Sequence, residues 1–238
     1  MATLSLRLRT VLELLGPCRL LADVGTDHGL VPVEAVESGR AERALAIDVL
    51  ADPLAVAART VRAAGLTSRV SLLHSDGLSG LAGRGVDAVV IAGMSGKTMQ
   101  RICETDPDVV AELEQLVVQP NGGVQYMRAF ARRAGFHLTD ERMVYEREQY
   151  FVTCRFSRRD GPDPAYDLEG LGLDEAGAFE VGPLLVRRRD AVARDYYRLQ
   201  RKRLADLVKR GAPGRDQELA TFERALAICL ADPPAIAR

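Results

Sequence analysis

The sequence predicts a doubly wound parallel α/β sheet that closes with an antiparallel hairpin and is followed by two C-terminal helices. Three observations predict it. Short apolar runs alternate with amphipathic stretches five times between Arg19 and Ala134, the rhythm of strands and crossover helices in a parallel sheet. Each apolar run ends in glycine or polar residues, as expected where a ligand crevice opens at the carboxyl ends of the strands. The first such end, Asp23-Val24-Gly25-Thr26-Asp27-His28-Gly29, joins a strand to a helix through a turn holding two glycines. Lacking a Cβ, those glycines let backbone approach a ligand closely.

In chain order, Leu4 to Leu15 sets Leu4, Leu8, Val11, Leu12 and Leu15 on one helix face, and Gly16-Pro17 stops the helix. Arg19 to Val24 is the first strand. Val31 to Ser38 is a helix, with Pro32 tolerated in its first turn. Arg43 to Val49 is a second strand ending near an acid. Asp52 as N-cap and Pro53 at the first position open a helix that reaches Ala64 and ends at Gly65. Val70 to His74 is a third strand, leading into Ser75-Asp76-Gly77. Val86 to Ala92 is almost continuously apolar, as a strand covered on both faces should be. Gly93-Met94-Ser95-Gly96 turns into a helix over Lys97 to Glu104. Gln115 to Gln119 is the fifth strand, followed by Pro120-Asn121-Gly122-Gly123 and a helix over Val124 to Ala134. Phe136 to Tyr145 and Gln149 to Phe156 form the antiparallel pair.

Arg158 to Ala178 is polar and rich in glycine and proline, the composition of a linker. Leu184 to Arg210 reads as one long basic helix, with Leu185, Val192, Tyr196, Leu199 and Leu207 near seven-residue spacing. Gly211-Ala212-Pro213-Gly214 breaks it. Asp216 to Leu230 follows, with Leu219, Phe222, Leu226 and Cys229 at steps of three and four. Two helices joined by a short turn should pack antiparallel. Their narrow face suits a coiled coil, formed within one chain or between chains. The expected organisation is a ligand-binding domain over residues 1–160, a linker over 161–180 and a helical hairpin over 181–238.

A chain of 238 residues holds one ordinary domain and a smaller appendage. Its 47% hydrophobic and 27% charged residues are those of a soluble globular protein. The net charge of −1 points to no partner, but its distribution does: residues 181–238 carry 13 Lys and Arg against 7 Asp and Glu, and residues 1–180 carry 19 against 26. The C-terminal part is the candidate for a polyanion, unless it is a solvated helix face. Cys18, Cys103, Cys154 and Cys229 are widely spaced and should be reduced, partly buried thiols. No apolar stretch approaches a membrane span, and no signal-peptide core is present, so a cytoplasmic protein is expected. The three histidines have no metal-ligand spacing, and no metal is expected.

Several residues at the strand ends have two readings. Asp48 suits a ribose hydroxyl or a helix cap. Asp76-Gly77 could present a carboxylate to an adenine amino group or be a bare turn. Asp27 and His28 could face a reacting group; otherwise Asp27 caps a helix and His28 packs. Pro120-Asn121 could offer rigid polar groups to a planar amine, although Asn-Gly is also a turn signal. Lys97 and Arg101 could meet phosphate or be surface charges.

Asp23-x-Gly25-Thr26-Asp27-His28 followed by Pro32, then Ala92-Gly93-Met94-x-Gly96, Gln119-Pro120-Asn121, Arg128, and Gly182-Pro183-Leu184 before a long helix together resemble the bacterial tRNA (adenine-22 N1)-methyltransferases. The resemblance covers nearly the whole chain. It implies a Rossmann-like class I methyltransferase that uses S-adenosylmethionine, with a coiled-coil hairpin that helps hold tRNA. It places cofactor contacts on Asp23, Gly25, Thr26 and His28, the ribose acid on Asp48 beside Val49, the adenine-side acid on Asp76 beside Gly77, and the loop after the fourth strand on Gly93 and Met94. Its proposed catalytic aspartate falls on Asp27, and we read Asn121 as its helper. The polyanion contacts expected on the tail are Arg187, Arg188, Arg189, Arg194, Arg198, Arg201, Lys202 and Arg203. Members usually carry Ala-Tyr-Leu where this chain has Gly29-Leu30-Val31, Gly where it has Ser95, Glu where it has Asp48, and Tyr-Glu where it has Tyr150-Phe151. The implied reaction is transfer of a methyl group to N1 of an adenine in tRNA. The alternatives are a methyltransferase acting on another RNA position or a small molecule, and a non-catalytic protein that senses the cofactor and binds RNA.

Overall fold

The computed structural model describes residues 4–231. Strands β1 (Cys18–Val24), β2 (Ala41–Asp48), β3 (Val70–His74), β4 (Ala88–Ala92) and β5 (Gln115–Gln119) are parallel, and β6 (Phe136–Glu146) and β7 (Gln149–Arg158) complete the sheet antiparallel. Their order is β3-β2-β1-β4-β5-β7-β6. The chain leaves β1 toward β2 and β3, then returns to place β4 on the other side of β1. This reversal is the switch point at which crevices open in such sheets.

Helices α1 (Leu6–Leu14), α2 (Leu30–Glu37), α3 (Ala51–Ala63), α4 (Gly96–Thr105), α5 (Pro107–Glu112) and α6 (Val124–Arg133) cover the sheet. Val11 and Leu15 from the first helical segment and Val36 from α2 meet Leu21, Ala44, Val90 and Val117 of the sheet in one core. Each buried Leu or Val there contributes about 2 kcal/mol by leaving water. One ion pair lies inside this unit: Arg128 Nε donates to Glu141 Oε1 at 2.7 Å, with both side chains 1% exposed or less. Cys154 Sγ lies 3.5 Å from the same oxygen. That burial explains why an arginine occurs in an otherwise apolar helix face, since an unpaired charge there would be very costly.

Two local readings are revised and one helix is added. Asp52 is not an N-cap: Leu50 occupies that position, and Asp48 Oδ1 accepts from Leu50 N at 3.0 Å, so the turn is organised earlier. The segment before β5 holds α5, with Asp106 at the N-cap position, its side chain making no capping bond, and Pro107 opening the helix. Asp27 does not cap α2, which begins after Gly29 in a left-handed conformation.

The chain divides into units Met1–Pro162 and Asp163–Arg238. In the second, the stretch expected as a linker carries a 3-10 turn at Pro164–Tyr166 and helix α7 (Glu175–Val181), with Ala165, Leu171, Ala178 and Val181 buried. Asp163 and Asp174 side chains cap these elements, so the polar composition reflects capping rather than flexibility. The expected single basic helix is two helices, α8 (Pro183–Arg187) and α9 (Ala191–Lys209). Arg189 at φ 51° breaks them, and Asp190 caps the second by accepting from Ala193 N at 2.8 Å. The break resets the phase, so Ala193, Tyr197 and Leu204 form the buried seam while Leu199 is 51% exposed. Helix α10 (Arg215–Leu230) packs against α9, where Phe222 meets Tyr196 and Tyr197, and also buries Leu226 and Cys229. Tyr197 donates to Val181 O at 2.6 Å. Residues 232–238 of the expected hairpin lie outside the described residues.

Candidate active site

The parallel strands finish in register. Val24 pairs with Ile47 and Ile91, Asp48 with His74, and Ala92 with Gln119, so the following loops leave from one edge. Backbone N–H groups of Gly25 and Thr26 both donate to Ile47 O at 2.9 Å and pin the first loop to β2. Gly25 has φ 75°, and a Cβ there would overlap the Met94 methyl group. The positive φ favours glycine, and a side chain there would have to push the end of the Met94 side chain aside. Asp27 at φ 50° is a left-handed non-glycine residue, a conformation that Asp tolerates at a cost of about 1 kcal/mol. It turns the carboxylate outward, where its Oδ2 lies 3.2 Å from His28 Nε2; both side chains are more than half exposed.

The loops after β4 and β5 are tied into a strap. Gly93 N donates to Gln119 O at 3.0 Å, Asn121 N to Met94 O at 2.8 Å, and Gly96 N to Gly122 O at 2.8 Å. Asn121 Nδ2 donates to Gly93 O at 2.6 Å. A Cβ at Gly96 would strike the Gly123 carbonyl, so a side chain is excluded where the two loops touch. Ser95 replaces glycine usefully: its hydroxyl caps α4 by accepting from Thr98 N at 3.1 Å.

Between these loops lies a cleft of about 400 Å³, within the range of small-molecule sites. Asp23, Gly25, Thr26, Asp27, His28 and Asp48 line one side, and Gly93, Met94 and Asn121 the other. The Asp23 carboxyl is 3% exposed. Burial pushes it up to about 7, the neighbouring Asp48 carboxylate adds to the rise, and the Thr26 hydroxyl partly opposes it. Three carboxylates in one cleft favour a cationic ligand.

Nine of the twelve expected catalytic and cofactor positions therefore line one cleft. Val49, Asp76 and Gly77 do not; they stand at the neighbouring ends of β2 and β3, where His74 Nε2 donates to Val49 O at 2.8 Å. Arg7, Leu8, Leu50 and Pro53 also line it and were not anticipated. Arg7 is half-buried and donates to Gln119 Oε1. Desolvation lowers its pKa, and nearby Glu146 partly restores it. On an amphipathic helix it reads as a surface charge, and only tertiary structure brings it here.

In the second unit, the partly exposed Arg187 donates its guanidinium to the carbonyls of Pro164, Ala165 and Asp167 and so holds the 3-10 turn. Arg189 donates to Ala231 O at 2.7 Å, Arg198 pairs with Asp195 at 2.7 Å, and half-buried Arg194 lies 4.0 Å from Asp195. Arg188 is exposed. Arg201, Lys202 and Arg203 are exposed on α9 with no hydrogen bond or ion pair among the described residues.

A family model described as a methyltransferase domain matches residues 4–153. The tRNA (adenine(22)-N(1))-methyltransferase of Bacillus subtilis (strain 168) is 32% identical over 189 residues, 79% of this chain and 77% of the relative. The crystal structure of the B. subtilis M1A22 tRNA methyltransferase TrmK matches with a TM-score of 0.80 and 27% identity, over 96% of this chain and 98% of that one. The structure of M. capricolum TrmK in complex with S-adenosyl-homocysteine has the same fold, with a TM-score of 0.83 at 21% identity over 96% and 100% of the two chains. Among the described residues no helix is long and apolar enough to cross a membrane. The residues of the cleft all fall inside the matched span, and the chain belongs to the methyltransferase-domain family, among the bacterial tRNA (adenine(22)-N(1))-methyltransferases.

Proposed function

We propose that this chain transfers the methyl group of S-adenosylmethionine to N1 of adenosine 22 in tRNA. The observation that carries the reading is the pair Asp23 and Asp27, four residues apart across a glycine turn but in opposite environments: one buried on the cleft wall, the other exposed at its rim. Two carboxylates held so differently suit two tasks.

The cleft fits the cofactor by its own chemistry. A buried carboxyl, a buried Thr26 hydroxyl and side-chain-free backbone at Gly25 suit a ligand that is cationic, carries hydrogen-bonding groups and lies close to the loop. Asp23, Gly25, Thr26, Asp48, Gly93 and Met94 would hold it. When bound, S-adenosylmethionine supplies an electrophilic methyl group on a cationic sulfonium. Asp48 serves as the ribose acceptor while Oδ1 still anchors the Leu50 turn.

Asp27 accepts a hydrogen bond from the exocyclic amino group of the target adenine. That contact raises electron density at N1 and stabilises the positive charge that the ring acquires. The field is in place before the reaction, which is what makes it effective. His28 steadies the Asp27 carboxylate from 3.2 Å. Asn121, fixed by its bond to Gly93 O, presents its amide to the base edge. The base must leave its stack to reach this rim. Arg201, Lys202 and Arg203 contact tRNA phosphates.

Transfer of labelled methyl from S-adenosylmethionine to unmodified tRNA, compared with a short unstructured oligonucleotide and with no RNA, tests the reading. Label in tRNA alone is expected. Equal label in the oligonucleotide would refute tRNA as the substrate, and no label in either would refute the activity.

A further inference from the structure

Two cation–aromatic pairs stand on either side of the Pro120–Gly123 strap, and the chemistry above uses neither. Exposed Lys97, in the first turn of α4, has its Nζ 5.0 Å from the ring centroid of Tyr126 in the first turn of α6. On the α1 side, the Arg7 guanidinium lies 5.7 Å from the Phe151 ring centroid. Both pairs are fastened to the strap. Gly96, beside Lys97, donates to Gly122 O, and the Tyr126 ring lies against Gly123. Arg7 donates to Gln119 Oε1, and fully buried Gln119 donates from Nε2 to Pro120 O at 2.9 Å. Asn121, which lines the cleft, is therefore bracketed by a cation and a ring on each side.

The hairpin of β6 and β7 extends this rim. Because β7 runs antiparallel to β5, its start projects past the edge where the parallel strands end. Arg147 and Glu148 form the tip, both with positive φ, the two-residue turn that matches strand twist. Just below it Tyr145, 51% exposed, packs on Tyr150 with ring centroids 4.7 Å apart. Glu146 Oε1 accepts from Leu6 N at 2.7 Å and ties the hairpin to α1.

We propose that this rim, Lys97 and Tyr126 on one side and Arg7, Phe151 and Tyr145 on the other, is the surface of the first unit that docks the unpaired nucleotides flanking the target adenosine. It rests on the tRNA reading above. When a base leaves its stack, the faces of its neighbours are exposed, and aromatic rings take such faces whatever the base. Cations beside the rings take the phosphates between them. They are also needed, because Asp27, Glu146 and Glu148 would otherwise repel a backbone brought to this cleft.

The test uses the full chain and an unmodified tRNA transcript. Tyr126→Leu and Tyr145→Leu should each raise KM for tRNA about tenfold, near the lower end of what a lost stack costs. Affinity for S-adenosylhomocysteine should stay within twofold of the parent. Tyr126→Phe and Tyr145→Phe keep the ring and should behave as the parent. Lys97→Ala should lower the slope of log affinity against log salt by about 0.7, one phosphate of a single strand. Leucine variants that melt like the parent yet keep its KM would overturn the proposal. If the parent chain methylates no tRNA, the substrate reading itself has failed, and that is seen before any variant is made.

Discussion

Binding of S-adenosylhomocysteine should tighten about tenfold between pH 6 and pH 8, and Asp23 is the reason. Its carboxyl is 3% exposed and is pushed up to about 7, first by burial and further by Asp48. A ligand with a cationic amino group favours the ionised form. With a pKa of about 7, roughly 9% of the free protein is ionised at pH 6 and roughly 91% at pH 8, a factor of about ten in apparent affinity. Calorimetry in two buffers of different ionisation enthalpy gives the protons released: about 0.9 per site at pH 6 and about 0.1 at pH 8. The same group sets a stability trend of opposite sense. Its folded pKa lies above the unfolded value of 3.8, so the native state holds the proton more tightly. Stability is greatest at low pH and declines as pH rises from about 4 through about 7, by about 4 kcal/mol from this group alone. Asp23→Asn should remove both pH dependences. A flat affinity profile with no proton release in the parent chain would refute the reasoning, because Asp23 would then not be coupled to the ligand.

Other outcomes follow from individual contacts. Asp27→Ala should keep S-adenosylhomocysteine affinity within a few-fold and lower methyl transfer by about two to three orders of magnitude, read by single-turnover kinetics; a normal rate with weakened binding would make Asp27 a ligand contact. Gly96→Ala drives a Cβ into the Gly123 carbonyl, so the melting curve should show a loss of about 2 kcal/mol or more, with Asn121 displaced. Arg128→Met leaves the Glu141 carboxylate buried without its arginine and should cost about 3–5 kcal/mol in denaturant unfolding. Joint replacement of Arg201, Lys202 and Arg203 by alanine should flatten the salt dependence of tRNA affinity by up to about 2.7 in log–log slope. Arg187→Ala should instead lower thermal stability and leave that slope unchanged, because its donors serve three backbone carbonyls.

What was legible in the sequence is what local pattern encodes. An apolar run such as Val86 to Ala92 followed by Gly93 marks a covered strand and its carboxyl end, and four of the five such ends brought nine expected residues to one cleft. What was not legible depends on choices made between elements. Asp52 and Pro53 carry every local sign of a helix start, but Asp48 closes the preceding turn first. The seven-residue spacing through Leu199 runs across the break at Arg189, and no periodicity survives a change of phase. Arg187 and Arg194 resemble Arg201 in sequence, yet Arg187 reaches three backbone carbonyls and the Arg194 Nε is buried, while Arg201 is exposed. Arg7 lies 16 residues before Asp23, on the polar side of a helix, and nothing local ties it to the cleft. Asp23 was expected as a cofactor residue, but its raised pKa came only with its burial.

The most direct measurement is nucleoside mass spectrometry, with positional mapping, of an unmodified tRNA incubated with the full chain and S-adenosylmethionine. The account predicts N1-methyladenosine at position 22, absent when Asp27→Ala replaces the parent chain and absent when adenosine 22 is changed to guanosine. Methylation of another position or another atom, or an unmethylated tRNA beside a chain that binds the cofactor, would contradict it.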